Sequence, residues 1–163
     1  MLKFLERFGI LKVMPKNLPR LIFSIGICLL AGGLGIIFTT SAIPTWYATL
    51  NKPFFSPPNF VFAPVWTTLY ILMGISLYLV WAKGWVPTIF WIQLVLNTVW
   101  SIIFFGMRNP LLALVDVAIL WLAIILTIKA FNKINKLAAN LLYPYLVWVS
   151  FASILNLFIV MLN

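Results

Sequence analysis

The sequence predicts an all-α integral membrane protein, a bundle of five transmembrane helices. Three observations carry that expectation. The 163 residues are 64% hydrophobic and only 8% charged, with mean hydropathy +1.13. A soluble domain of this size could not keep so much apolar surface from water, so the bilayer has to be its solvent. Five windows, roughly 20–40, 63–82, 86–105, 110–130 and 141–162, reach the length of about 20 mainly apolar residues that a span requires. Each is opened or preceded by a proline (Pro19, Pro64, Pro87, Pro110, Pro144), at a first turn where the missing N–H costs nothing.

Residues 1–19 form a basic amphipathic segment, in which Lys3, Glu6, Arg7, Lys12 and Lys16 alternate with Phe4, Leu5, Phe8 and Leu11. This reads as a short interfacial helix ending near Pro15. The apolar run from Leu21 to Thr39 exceeds the core of about 7–15 residues of a cleaved signal peptide, so it opens a five-helix membrane domain over 20–163. On this first span a spacing of three and four aligns Ser24, Cys28, Ala31, Gly35 and Thr39, with Gly32 beside them. Such small residues permit close helix approach, within a bundle or in a dimer.

The connector 41–63 holds four prolines (Pro44, Pro53, Pro57, Pro58) and six aromatics (Trp46, Tyr47, Phe54, Phe55, Phe60, Phe62). Proline fixes φ and removes a donor, so this piece is expected to be neither a helix nor a central strand. A long apolar connector is usually a lid or binding loop. An aromatic belt at headgroup level is the alternative, but a belt needs no run of fixed turns. The expectation is therefore a shaped cap over a pocket.

The second span aligns Trp66, Tyr70, Gly74 and Tyr78, and the third Gln93, Asn97, Trp100 and Phe104. The fourth aligns Ala113, Asp116, Leu120, Ala123 and Thr127, and the fifth Tyr145, Trp148, Ala152, Asn156 and Asn163. The short joints WAKGWV and GMRN make neighbouring helices antiparallel, and the joint FNKINKLAAN is polar and basic. Nine cations (Lys3, Arg7, Lys12, Lys16, Arg20, Lys83, Lys129, Lys133, Lys136) fall on one side, and Lys52 and Arg108 on the other. The positive-inside rule then puts the N-terminus in the cytoplasm, with the 41–63 loop and Asn163 opposite, in the cell membrane if the source is prokaryotic.

Composition also excludes chemistry. There is no His and a single Cys, Cys28, so there is no internal disulfide, multi-Cys metal site or His-ligated haem. Glu6 and Asp116 are the only acids, too few for paired-carboxylate catalysis. The net charge of +9 is accounted for by topology, and no nucleic-acid partner is expected. No cofactor is required and no metal site is expected.

In lipid, polar and small residues mark helix contacts or cavities. Asn97 and Asn156 serve either a site or interhelical bonding. Asp116 stands apart, because a carboxyl at this depth costs about 2.5–3.5 kcal/mol on insertion scales. It needs a partner, a proton or water, and either a functional or a structural role fits. A cavity walled by Trp66, Tyr70, Trp100 and Trp148 offers flat π faces and few polar handles. That chemistry takes a planar, mostly apolar ligand, and it lacks the ion rings of a channel or pump.

The stretches WYATLNKPFFSPPNFVFAPVWTTLYILMG, QLVLNTVWSIIFFGMRNPLLALVD and LLYPYLVWVSFASILN, in that order, resemble the translocator protein family. It is also called TspO/MBR, tryptophan-rich sensory proteins or peripheral-type benzodiazepine receptors. The resemblance runs from about Gly32 onward. It implies a five-helix bundle, commonly a homodimer, with a pocket under the first long loop. The ligands it implies are porphyrins, sterols, and synthetic isoquinoline carboxamides or benzodiazepines. By motif position it implies pocket residues Trp66, Asn97, Trp100, Asp116, Trp148, Ala152 and Leu155, with Tyr47 and Pro57 as caps. Some bacterial members are reported to degrade protoporphyrin under light, which the resemblance attaches to Trp66 and Trp148. Two departures matter. Phe55 and Phe60 replace tryptophans of many members, and Ser56 and Asn59 replace histidines of animal members, which removes metalloporphyrin ligation from the lid. The stretch LFIVMLN has neither Tyr nor a cation where animal members carry a cholesterol motif, which argues against sterol specificity.

The expected function is thus a membrane receptor or carrier that binds porphyrins at Tyr47, Pro57, Trp66, Tyr70, Asn97, Trp100, Asp116, Trp148, Ala152 and Leu155. Its role would be tetrapyrrole sensing, scavenging or transport. The alternatives are an enzyme of light- and oxygen-dependent porphyrin breakdown using Trp66 and Trp148, and a regulatory or assembly protein whose pocket is incidental. The partners expected are the lipid bilayer, a porphyrin-type molecule and a second copy of the chain.

Overall fold

The computed structural model describes residues 17–163; the interfacial helix expected before Pro15 lies outside the described residues. The chain forms α1 (Leu18–Ala42), α2 (Trp46–Thr49), α3 (Phe62–Trp81), α4 (Thr88–Ser101), α5 (Pro110–Asn132), α6 (Lys136–Asn140) and α7 (Tyr143–Leu162). Five helical stretches, Leu18–Ala42, Asn59–Trp81, Thr88–Gly106, Pro110–Asn132 and Lys136–Leu162, are long and apolar enough to cross a membrane. The protein is an integral, multi-pass five-helix bundle.

The polar residues that flank these apolar stretches also start them. Asn17 Oδ1 accepts from the Arg20 N–H (3.1 Å), Asn109 Oδ1 from Leu112 (3.0 Å), and Asn135 Oδ1 from Leu137 and Ala138 (3.0 and 3.2 Å). Each satisfies N–H groups that the first turn of a helix leaves without partners. Proline follows in the first turn of α1, α5 and α7.

Small residues set the packing. At Gly74 a Cβ would strike the backbone of Ile25, and at Gly32 the ring of Tyr70, so α1 and α3 cross closely. At Gly35 a Cβ would stand 2.9 Å from Ser101 Oγ, which brings α4 against α1. Thr98 Oγ1 donates to the Ala31 carbonyl at 3.1 Å across the same contact. The small face of α1 is therefore spent inside the bundle. Ser76 Oγ donates to the Ala138 carbonyl (2.7 Å), tying α6 to α3, and Trp121 Nε1 donates to Ser150 Oγ (2.8 Å), tying α5 to α7.

Two local features differ from the sequence reading. The Pro-rich connector does hold one helical turn, α2, because no proline falls between Pro44 and Pro53. A single turn, Asn59–Val61, also leads into α3. And α4 ends in a π-helical turn, Ile102–Gly106, where the Met107 N–H reaches the Ile102 carbonyl at 2.8 Å. The wider turn accommodates one extra residue, and both Phe104 and Phe105 end up on the interior side.

Candidate functional site

A cavity of about 530 Å³ lies at the end of the bundle that carries the connector. Its walls come from α1, α3, α4 with its π turn, and α7, and its roof from α2 and the Asn59–Val61 turn. Aromatic faces dominate. Trp66 stacks on Tyr70 (centroids 5.6 Å apart, 29° between planes) and meets Tyr145 edge-on at 6.3 Å. Trp100 stacks on Phe104 at 5.1 Å and 21°. Tyr47, 4% exposed, presses edge-on against both Phe104 and Phe105 (6.2 and 5.8 Å). Trp148 stands between Phe62 (6.1 Å) and Phe151 (5.5 Å).

The polar groups behind these faces hold them in place. Tyr70 O–H donates to Asn97 Oδ1, and Asn97 Nδ2 donates to the Tyr145 hydroxyl at 2.9 Å. Asn97 thus ties α3 to α7 beneath the cavity floor. Asn156 Nδ2 donates to the Pro110 carbonyl (2.8 Å), and its Oδ1 accepts from Trp100 Nε1 (3.3 Å), which orients that indole. Trp148 Nε1 is buried and has no hydrogen-bond partner among the described residues, a polar group that burial leaves unsatisfied.

The roof is fastened at one point. Asn51 N–H donates to Asn163 Oδ1 (2.9 Å), Asn163 Nδ2 returns a bond to the Asn51 carbonyl (3.0 Å), and Asn51 Nδ2 donates to the Leu162 carbonyl (3.3 Å). Phe55 wedges against Phe151 and Phe158 (6.3 and 5.2 Å). Lys52 Nζ sits 4.8 Å from the Tyr47 ring centroid, a cation–π contact. Burial raises the Tyr47 phenol above its usual pKa, which extends the pH range over which it is neutral. The connector and Asn163 therefore share one end of the bundle.

Of the ligand-binding residues expected from the sequence, Tyr47, Trp66, Tyr70, Trp100, Trp148, Ala152 and Leu155 line the cavity, and so do Phe60, Phe104 and Asn156. Asn97 lies one layer behind, 2% exposed, and acts on the wall through Tyr70. Asp116 is 7% exposed on α5, its Oδ2 is buried without a hydrogen-bond partner among the described residues, and it is not part of the cavity wall. Pro57 is half-buried in the roof loop, whose contributions to the wall are Asn59 and Phe60. The sequence reading aligned Gly32 and Thr39 on one face of the first span but named no α1 residue at the site, and Gly32, Gly33, Ile36, Thr39 and Thr40 all line the cavity. It also missed Phe105, which only the π turn brings inward. Among the described residues no group of His, Cys, Asp or Glu could hold a metal ion.

Residues 24–162 match the model of the TspO/MBR family. The chain is 46% identical over 157 residues to the Tryptophan-rich protein TspO of Chlorobaculum tepidum, covering 92% of this chain and 99% of that protein. To the Tryptophan-rich protein TspO of Archaeoglobus fulgidus it is 48% identical over 152 residues, covering 90% and 99%. To the human Translocator protein it is 45% identical over 119 residues, covering 68% and 70%.

Proposed function

The chain belongs to the TspO/MBR family, and on that premise we propose that it is a membrane receptor or carrier for porphyrins. The observation that carries this reading is the cavity itself. Its volume of about 530 Å³ is bounded by the faces of Trp66, Trp100 and Trp148 with few polar groups among them. Flat apolar macrocycles bind through stacking and burial of that kind. Orienting polar groups would come from the few polar residues of the lining, Asn59, Thr67, Ser101 and Asn156 among them. No cofactor is needed for this role. The cavity end faces away from the cytoplasm, by the charge asymmetry, and the chain works as a homodimer, as the family resemblance implies.

A second reading, light- and oxygen-dependent porphyrin breakdown, draws on the Trp66–Tyr70 stack. An oxidised indole there would touch a phenol whose proton already has an acceptor in Asn97. One titration separates the readings. Protoporphyrin added to the purified protein in the dark should give a saturable, shifted absorbance band. A band stable under illumination supports the receptor, and bleaching to a new product supports the enzyme. Absence of any saturable shift would overturn both.

A further inference from the structure

The described cations are sorted by end. Arg20, Lys83, Lys129, Lys133 and Lys136 lie where α1 begins and α3 ends, against Lys52 and Arg108 at the cavity end. The only acidic side chain among the described residues, Asp116, is within α5. One of these cations is held in place. The Arg20 guanidinium carbon sits 4.9 Å from the Trp81 ring centroid, and Nη1 donates to the Trp81 carbonyl at 3.4 Å. This joins the start of α1 to the end of α3. Phe23 packs on the same indole at 5.9 Å yet is 57% exposed. Seven, eleven and fourteen residues further on, Leu30, Leu34 and Ile37 are 70, 56 and 67% exposed, and that spacing continues one stripe of the helix.

We propose that this seam between α1 and α3 binds one anionic phospholipid, its phosphate on Arg20 and an acyl chain along the Phe23–Leu34 stripe. A guanidinium carries five N–H donors in a planar fork that matches phosphate oxygens. Here the Trp81 carbonyl takes one of them, and no described acid competes for the rest. Lys83, exposed two residues beyond Trp81, adds charge at the same level. From Phe23 to Leu34 the helix rises roughly 16 Å, close to one leaflet of a hydrocarbon core about 30 Å thick. Head and tail requirements are thus met on one face. The headgroup is anionic rather than zwitterionic for a stated reason. A choline or ethanolamine cation would enter a region that already holds five cations and no described acid.

The test is native mass spectrometry of the detergent-purified protein, titrated with dioleoyl phosphatidylglycerol or dioleoyl phosphatidylcholine. Their tails are identical and only the headgroups differ. The expected result is a one-to-one phosphatidylglycerol adduct at about tenfold lower concentration, equivalent to about 1.4 kcal/mol. Arg20→Gln should erase the preference, Arg20→Lys should leave an intermediate one, and Lys133→Gln should leave it whole. Equal binding of the two lipids overturns the proposal. So does a preference that survives Arg20→Gln, or one lost in Lys133→Gln, which would spread the effect over the whole charged end. Inorganic phosphate at millimolar concentration should not displace the lipid; displacement would make this a free-anion site and overturn the lipid assignment. Should Arg20→Gln fail to fold, Arg20→Lys decides, since an undiminished preference there shows that the fork does not matter.

Discussion

The two tryptophans that flank the cavity, Trp66 and Trp148, carry the most direct test at the scale of single residues. If they hold a flat macrocycle, each supplies stacking and burial of about 1–3 kcal/mol, by analogy with aromatic–base stacking. Trp66→Ala and Trp148→Ala should each weaken protoporphyrin binding by about tenfold or more, read by absorbance titration. Phenylalanine at either site should keep much of the binding and abolish any light-driven breakdown, because it stacks but does not readily form an oxidised radical. Trp85, 71% exposed in the joint before α4, is the control; an equal loss in Trp85→Ala would assign the effect to general folding. Arg108 is a different case. Its φ of 54° is left-handed, costing an L-residue about 1–2 kcal/mol. Arg108→Gly removes that strain but frees the unfolded chain. The expected net is a gain of about 0.5 kcal/mol, seen as a small rise in Tm; a fall would mean that the guanidinium makes a stabilising contact.

At the scale of helices, glycines decide which elements touch. Gly74→Leu would drive a side chain into the backbone of Ile25 and part α1 from α3, at the cost of about 1–3 kcal/mol typical of overpacking. Gly26→Ala, with nothing within 4 Å of the added carbon, should leave Tm unchanged or slightly raised, whereas Gly74→Ala should lower it, and equal effects would show that neither glycine marks a crossing. Much of this level was legible beforehand. The five spans follow from hydropathy punctuated by proline. Spacing of three and four also identified inward faces: Ala113, Asp116, Leu120, Ala123 and Thr127 are all buried. The π turn was not legible, since IIFFG is ordinary helix sequence and the extra residue is accommodated only by tertiary contact. The inward face of α1 was legible at Gly32, Gly35 and Thr39, but its role as cavity wall was not, because in a membrane glycine signals close packing and does not distinguish a neighbouring helix from a void.

For the whole molecule, the orientation in the bilayer is directly testable. With Cys28 replaced by Ser, a cysteine at Asn59 should label with a membrane-impermeant maleimide added to intact cells, and one at Lys136 only after lysis. The opposite pattern would invert the orientation read from nine cations against two. That reading needs only the sequence, because charge placement relative to spans is local information. The Asn51–Asn163 clasp is the contrary case. Its partners are 112 positions apart, and nothing in either local sequence names the other.

That clasp has a consequence for the order of events during biosynthesis. Chains emerge from the N-terminus, so α1 through α5 can be in the bilayer while α7 is still unmade. Until then the cavity lacks Trp148, Ala152 and Leu155 from its wall, and Asn51 has no partner for its roof. On the proposed function, porphyrin binding would therefore require α7, and a bound porphyrin would report that the fifth span is in place. A chain stopped after Leu142 should still integrate into membranes, by resistance to carbonate extraction, yet show no saturable protoporphyrin shift.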